Sequence, residues 1–464
     1  MLTLRAPQPA TLWDELLPVE VRELPEDLAR LDELLFDPEL LEPIVGHWRR
    51  EMAETGRAVL TDGRPTIALE SYVRLMVVKQ RSGWGYESLV REVSDSIHLR
   101  RFCLIPLDAR VPDESTIRKL TRRLGSETVA ELTRAVIEKA VRERRFRPRA
   151  ARIDSTVVEA DVRYPSDAAL ALQGVRRLTR EGGRLARRIG ESARAVRDRS
   201  RAVGRRVRQI ARTLGRRSGE AKELVMELNS QAGELLDRSA REAKRLAEVA
   251  RRRARGRGAR AKLMAAARLE ELAGRCERIA DQIAMRRRGE QIPDRLVSLE
   301  DPDARPIRKG KLGKPNEFGY VAQICEVTEN TRPGARGLIV PAASASGNAG
   351  ENTLLPDTVA ELERLDLRPR EVALDGAFGH RLSEEQLAPI EAERVFVSGR
   401  QEPASKRTRR RLRRYRTGAE GRISHLKRGY GLRRSRLKGA EGERIWSGWA
   451  ILAYDLDTVA VLPT

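Results

Sequence analysis

Apolar residues recur at helical spacing from the start of the chain, with Leu-Leu pairs at 16–17, 34–35 and 40–41 set among Asp32, Glu33, Asp37, Glu39 and Glu42. This pattern predicts an acidic arm of amphipathic helices over 1–60, packed on the rest of the protein or on a partner subunit. From Thr66 to Leu132 the spacing stays helical. Trp84-Gly85-Tyr86 leads into one helix, and Pro112-Asp113-Glu114-Ser115-Thr116-Ile117-Arg118-Lys119 leads into another. Asp113 or Ser115 caps that second helix, which presents Thr116, Lys119 and Arg123 outward. Such a helix reads as the recognition helix of a helix-turn-helix-like DNA-binding region over 61–148, with Ser115, Thr116, Arg118 and Lys119 as DNA contacts. An ordinary bundle with a capped surface helix is the alternative. Trp84 is read as a core residue, with a wedge between bases as its second reading.

Near residue 150 the pattern changes to the β type. Ala151–Val158 is short and β-branched, and further strands are predicted at Tyr320–Thr328, Gly337–Pro341, Glu371–Leu374 and Arg394–Val397, with a helix near Thr353–Leu365. That order predicts an α/β domain made of 149–164 and 306–464. Between its first two strands lies a long segment, 165–305, with no proline from 166 to 292. Val203, Val207, Ile210 and Leu214 form one apolar stripe there, and Arg255-Gly256-Arg257-Gly258 breaks the segment into a hairpin. The reading is a basic, antiparallel helical insertion that contacts DNA along its arginine face; a solvated coiled coil is the alternative.

Charge sharpens this picture. The 464 residues carry 91 Lys+Arg against 68 Asp+Glu, a net +23, which favours a polyanionic partner. Residues 171–300 contribute 35 basic and 17 acidic side chains, most of that excess. Cys103, Cys276 and Cys325 are too scattered for a disulfide framework or a zinc ribbon. No basic leader opens the chain, and the apolar stretch Trp449–Leu462 is broken by Asp455 and Asp457. A cytoplasmic, nucleoid-associated protein outside the membrane is therefore expected. Ser346–Gly350 lacks the spacing of a phosphate-binding loop.

Three acids stand where strands or a helix bring them toward a common edge: Asp154 in the first strand, Asp375 closing Val372-Ala373-Leu374, and Glu420 in a helical stretch. Such a trio suits phosphodiester cleavage with two divalent ions, which also relieve the repulsion between the carboxylates. Arg416, Glu420 and Lys427 are spaced i, i+4 and i+11, one helical face carrying a carboxylate and two cations. Arg422 belongs to the same stretch and is counted with Arg416 and Lys427 as DNA-binding. Residues 401–444 hold 16 basic and 4 acidic side chains. Glu402 and Glu441 compete for the third acidic place, but neither has a cation at both of the flanking helical positions that Arg416 and Lys427 occupy around Glu420. Gly418 and Gly421 each weaken the helix by about 1 kcal/mol relative to alanine, so it is expected to order on DNA. The four histidines, His47, His98, His380 and His425, have no ligand spacing, although His425 is close enough to Glu420 in sequence to touch DNA. Trp446 and Trp449 fall on an apolar helical stripe and are read as core.

These motifs together resemble the bacterial insertion-sequence transposases of the Asp-Asp-Glu type, whose catalytic domain is ribonuclease H-like. The family's third acid belongs to a Tyr-x2-Arg-x3-Glu-x6-Lys signature, and Arg416-x3-Glu420-x6-Lys427 reproduces its last three members. Arg413 stands at the tyrosine position, with Tyr415 two residues later. Asp154-Ser155-Thr156 followed by Tyr164-Pro165-Ser166-Asp167, and Asp375-Gly376-Ala377-Phe378-Gly379, are similar to the first- and second-acid segments. Lys314-Pro315-x-Glu317-Phe318-Gly319 and Gly347-Asn348 are similar to segments between them. The resemblance implies a ribonuclease H-like mixed sheet with helices, joined to the all-α N-terminal region and the long basic insertion. It also implies that Asp154, Asp375 and Glu420 chelate Mg²⁺ or Mn²⁺ while Arg416 and Lys427 hold DNA. The activity implied is cleavage of transposon ends and joining of the 3′-hydroxyl to target DNA, by a homodimer or larger assembly. A metal-dependent nuclease without strand transfer and a non-catalytic DNA-binding protein are the alternatives.

Overall fold

The computed structural model describes residues 3–5, 15–56, 66–216, 218–256, 258–308, 316–400 and 405–463. Among the described residues seven α-helices come first: α1 (Val19–Arg22), α2 (Glu26–Leu35), α3 (Glu42–Thr55), α4 (Leu69–Ser82), α5 (Tyr86–Asp95), α6 (Ile97–Phe102) and α7 (Glu114–Glu143). The Leu-Leu pairs at 34–35 and 40–41 are buried, whereas Leu16 is exposed. The acids of this arm meet cations of the same chain: Asp32 pairs with Arg74, Asp37 with Lys139, Glu39 with Arg142 at 2.7 Å and Glu51 with Arg123 at 2.8 Å. Helix α4 is buried on every side from Leu69 to Gln80, which makes it the axle of the region. Helix α7 is capped by Asp113 and kinks at Gly125, whose φ of 73° belongs to the left-handed region.

After α7 the chain enters β1 (Ala150–Ala160) and then a helical unit spanning Val162–Gly319. That unit contains α8 (Asp167–Arg188), α9 (Ser200–Thr213), α10 (Gly219–Arg252) and α11 (Ala259–Arg287). Ion pairs Arg251–Glu270, Lys244–Glu277 and Arg287–Glu227 run in opposite sequence order, so α10 and α11 form an antiparallel hairpin. Gly256 and Gly258, at φ 67° and 93°, lie in the bend between them. Alanines 232, 240, 243, 247, 266 and 273 are buried with Leu236, Leu246 and Ile279, small residues that let the helices approach closely. Val203 and Ile210 are buried and Val207 is partly so, but Leu214 lies past the end of α9 and is 66% exposed, so the predicted stripe is one residue too long. In the same unit β2 (Arg305–Ile307) pairs antiparallel with the first residues of β3 (Glu317–Thr328), Arg305 facing Gly319.

The remaining unit joins Met1–Asp161 to Tyr320–Thr464. Its later elements are β4 (Leu338–Ile339), β5 (Ala343–Ser346), α12 (Glu351–Arg364), β6 (Glu371–Leu374), α13 (His380–Leu387), β7 (Arg394–Val397), α14 (Lys406–Gly429), β8 (Arg434–Ser435) and α15 (Gly439–Val459). The sheet runs β3-β1-β6-β7, with β4 and β5 antiparallel on β3 and β8 parallel to β1. Strands β1, β6 and β7 are mutually parallel, Ala151 facing Val372 and Val372 facing Val395. In β6 and β7 the residues after the first are apolar without alternation, as in strands covered on both faces. One hydrophobic core extends from Leu28 and Trp48 through Val77 and Val136 to Val372, Trp449 and Leu456. The N-terminal helices and the sheet therefore share a core across residues 60 and 148. Among the described residues no helix is long and apolar enough to cross a membrane.

Candidate active site

Parallel pairing of β1 with β6 sets Ile153 opposite Leu374, so the next residues, Asp154 within β1 and Asp375 just past the end of β6, stand side by side. This is the carboxyl end of β6 and β7, where those two strands stop while β1 runs on to Ala160. Asp154 is partly buried, and its carboxyl is pushed up to about 7 by that burial and by the nearby carboxylates of Asp375 and Glu351, with Arg416 acting in the opposite sense. Glu351, the first residue of α12, had no claim from sequence. It accepts a hydrogen bond from Ser155 Oγ, and its backbone carbonyl accepts one from Gln323 Nε2 at 2.9 Å. Burial also raises the Glu351 carboxyl, the Ser155 bond opposes that rise, and Asp375 adds to it. A glutamate in a first helical turn reads as an ordinary dipole partner, so nothing in the sequence distinguished it.

The turn after Asp375 is held from behind. Phe378 is buried, and Gly379 N–H donates to Asn352 Oδ1 at 2.8 Å, tying the turn to α12. A side chain at Gly376 would lie 2.9 Å from the Ser398 carbonyl, so glycine permits the approach to β7.

Glu420 comes from α14, a continuous helix across Gly418 and Gly421. The reason is packing. A Cβ at Gly418 would fall within the guanidinium of Arg152, which reaches from β1 to Glu326 and donates to the Tyr415 carbonyl at 3.1 Å. Glu326 is fully buried and also accepts from Arg422 Nε at 2.9 Å and from Gly337 N–H at 3.0 Å. Arg422, grouped from sequence with the DNA-binding cations, therefore faces inward with only 11% of its side chain exposed. Tyr415 is also a core residue, its hydroxyl 2.6 Å from Thr328 Oγ1.

Arg416 joins the acids. Its Nη1 lies 3.0 Å from Asp375 Oδ1 and its Nη2 3.1 Å from Glu420 Oε1, while its Nε is buried without a hydrogen-bond partner among the described residues. Glu420 is 64% exposed, and Lys427 lies two turns further along the same helix. A cation thus sits between the second and third acids, and the trio is not drawn together as tightly as a closed metal site. Among the described residues one trio of potential ligands has atoms all within 4.8 Å of one another: Asp37, Glu39 and Glu143. That trio is neutralised by Lys139 and Arg142.

Elsewhere, Ser115 and Thr116 both bond to Asp113, Arg118 pairs with Glu114 at 2.7 Å, and Lys119 is exposed. Arg123 stacks on Trp48 at 4.0 Å as it pairs with Glu51. Residues 103–113 separate α6 from α7, longer than the three- or four-residue turn of a helix-turn-helix pair. Glu441 accepts from Ser126 N–H at 2.7 Å and caps the second half of α7. Trp84 packs on the core, Trp446 and Trp449 are buried, and His425 lies against Tyr430 with ring centroids 5.5 Å apart. Glu402, Arg257, Lys314 and Pro315 lie outside the described residues.

No curated protein and no solved structure matches the chain. Residues 24–123, running from before α2 to the first half of α7, match the family described as Transposase domain (DUF772), and this match supports a transposase family for the protein.

Proposed function

We propose that the protein is a DNA transposase of the Asp-Asp-Glu type that cleaves transposon ends and joins the freed 3′-hydroxyl to target DNA. The observation that carries this reading is the placement of Asp154, within β1, beside Asp375, at the end of the parallel neighbour β6, with Arg416 bridging Asp375 to Glu420. The sheet order β5-β3-β1-β6-β7, antiparallel on one side and parallel on the other, supports a ribonuclease H-like fold. The transposase-domain match at 24–123 supports the same reading from a separate part of the chain.

The donor set fits a hard divalent cation. It is all carboxylate oxygen, and the burial and mutual repulsion that push Asp154 upward are both relieved by added positive charge. Asp154, Asp375 and Glu420 would hold Mg²⁺ or Mn²⁺, which supplies activation of water or a 3′-hydroxyl and neutralises charge on the departing oxygen. The chain's own groups do the rest. Ser155 and Gln323 fix Glu351 behind Asp154. Asn352 holds the turn that carries Asp375. Buried Arg152 and Glu326 lock α14 onto β1 and so fix the depth of Glu420. Arg416, released from its two carboxylates, is placed to orient a phosphate. No covalent nucleophile is needed, because positioning and charge account for most of the catalysis in phosphoryl transfer.

The test is incubation of the protein and Mg²⁺ with its flanking genomic DNA. Free 3′ ends at terminal inverted repeats are expected with the wild type and not with Asp154→Asn. A protein that binds this DNA and never cuts it would support the architectural alternative.

A further inference from the structure

Beside the carboxylates, the N-terminal half of α14 borders a groove of about 1100 Å³, lined also by Thr331, Pro333 and Phe396. Eight of its thirteen lining residues are Lys or Arg and none is Asp or Glu. Of the eight, Arg411 has a carboxylate partner, Glu371 at 2.6 Å, and the other seven have none among the described residues. Like charge this dense destabilises a fold through self-repulsion unless an anion relieves it. Ser405 caps the helix here, so the positive end of its dipole adds to the same field.

Shape and spacing narrow the choice of anion. The groove is far larger than one phosphate requires, and seven of its eight cations come from successive turns of α14. Arg409, Arg413, Arg416 and Glu420 step by four, three and four along one face of α14, so the row runs directly into the acids. At about 1.5 Å per residue, Lys406 to Arg414 spans about 12 Å. Along duplex DNA, at about 3.4 Å per phosphate of one strand, that length covers three or four phosphates. Guanidinium groups match phosphodiester oxygens in a bidentate manner, and the apolar lining offers little to read base edges.

We propose that this groove is the track that carries the phosphodiester backbone of duplex DNA to the carboxylates, holding it by charge and without regard to base sequence. The assignment rests on the transposase reading for the identity of its ligand.

The test is binding of an arbitrary duplex of about 30 base pairs in EDTA, measured across a salt series. For Arg407→Gln/Arg410→Gln/Arg414→Gln, affinity near physiological salt is expected to fall at least about tenfold, and the slope of log affinity against log salt to shrink by about 2–3. The corresponding triple lysine variant keeps its charge and should bind within about threefold of wild type, which separates loss of charge from loss of fold. Arg364→Gln/Arg368→Gln/Arg381→Gln removes equal charge elsewhere on the same unit and should also stay within about threefold. A wild-type slope in the groove variant, or an equal loss in the control, would overturn the assignment. Asp154→Asn separates the two readings. If it abolishes cleavage while the groove variant binds normally, the track is wrong and the enzyme reading stands; if it still cleaves, the enzyme reading fails and the salt slope still decides the track.

Discussion

Replacing Asp154 by Asn should stabilise the protein above neutral pH when no divalent ion is present. In the folded protein the Asp154 carboxyl keeps its proton up to about pH 7, against 3.8 when unconstrained. Between those values the folded state binds more protons than the unfolded one, so stability falls as pH rises. A shift of about three units corresponds to a ceiling of about 4 kcal/mol. Asp375 is 42% exposed, which screens part of its repulsion. We therefore expect a gain of about 1–3 kcal/mol from Asp154→Asn at pH 8, a rise in melting temperature of about 2–6 °C. The gain should shrink as pH drops and vanish below about pH 4. Thermal unfolding in EDTA across pH 4–9 measures it, and a Mg²⁺ titration in the same assay should stabilise the wild type far more than the variant. A variant no more stable than wild type at pH 8, or one with an undiminished Mg²⁺ response, would refute the reasoning.

Three further outcomes follow from buried charged groups, two at the site and one in the helical core. Glu326→Gln leaves Arg152 and Arg422 without their buried counter-ion and should lower stability in urea by about 3–5 kcal/mol; a loss under about 1 kcal/mol would remove the network from the argument. Glu351→Gln deletes one of the negative charges acting on Asp154, so the acid limb of the cleavage rate should move to lower pH, and an unmoved limb would separate Glu351 from the site. Lys79, buried over Trp446 at 4.0 Å, has its ammonium pushed down to about 7 by burial and by Arg436. The folded state then binds fewer protons between about pH 7 and 10.5, stability should rise with pH through that window, and chemical denaturation of Lys79→Met should show the rise abolished.

The sequence was most legible where burial follows a simple period. Strands β1, β3, β6 and β7 are apolar runs bounded by polar residues, and the helix expected at 353–365 is α12, starting two residues earlier. The short strands β2, β5 and β8 are not legible in the sequence, because stretches of two to four residues such as Ala343–Ser346 carry no measurable alternation. Separate regions over 1–60 and 61–148 were inferred from a change in charge, yet the acids of the arm are the counter-ions of Arg74, Lys139, Arg142 and Arg123. Within the site, strand-end position pointed to Asp154 and Asp375, and helical spacing pointed to Arg416 and Glu420. Glu351 escaped because only tertiary contact distinguishes it from a routine helix-start acid. The inward placement of Arg422 is hidden for the same reason, since its buried partner, Glu326, is 96 residues away. Gly418 looked like a weak point in α14 and is instead the space through which Arg152 passes.

Anomalous scattering from crystals of the DNA complex soaked in Mn²⁺ tests the central claim most directly. Metal density bounded by Asp154, Asp375 and Glu420, with the Arg416 guanidinium withdrawn from between the last two, is the result expected. Mn²⁺ found solely at Asp37, Glu39 and Glu143, or Arg416 still bridging Asp375 and Glu420 with DNA in place, would contradict it.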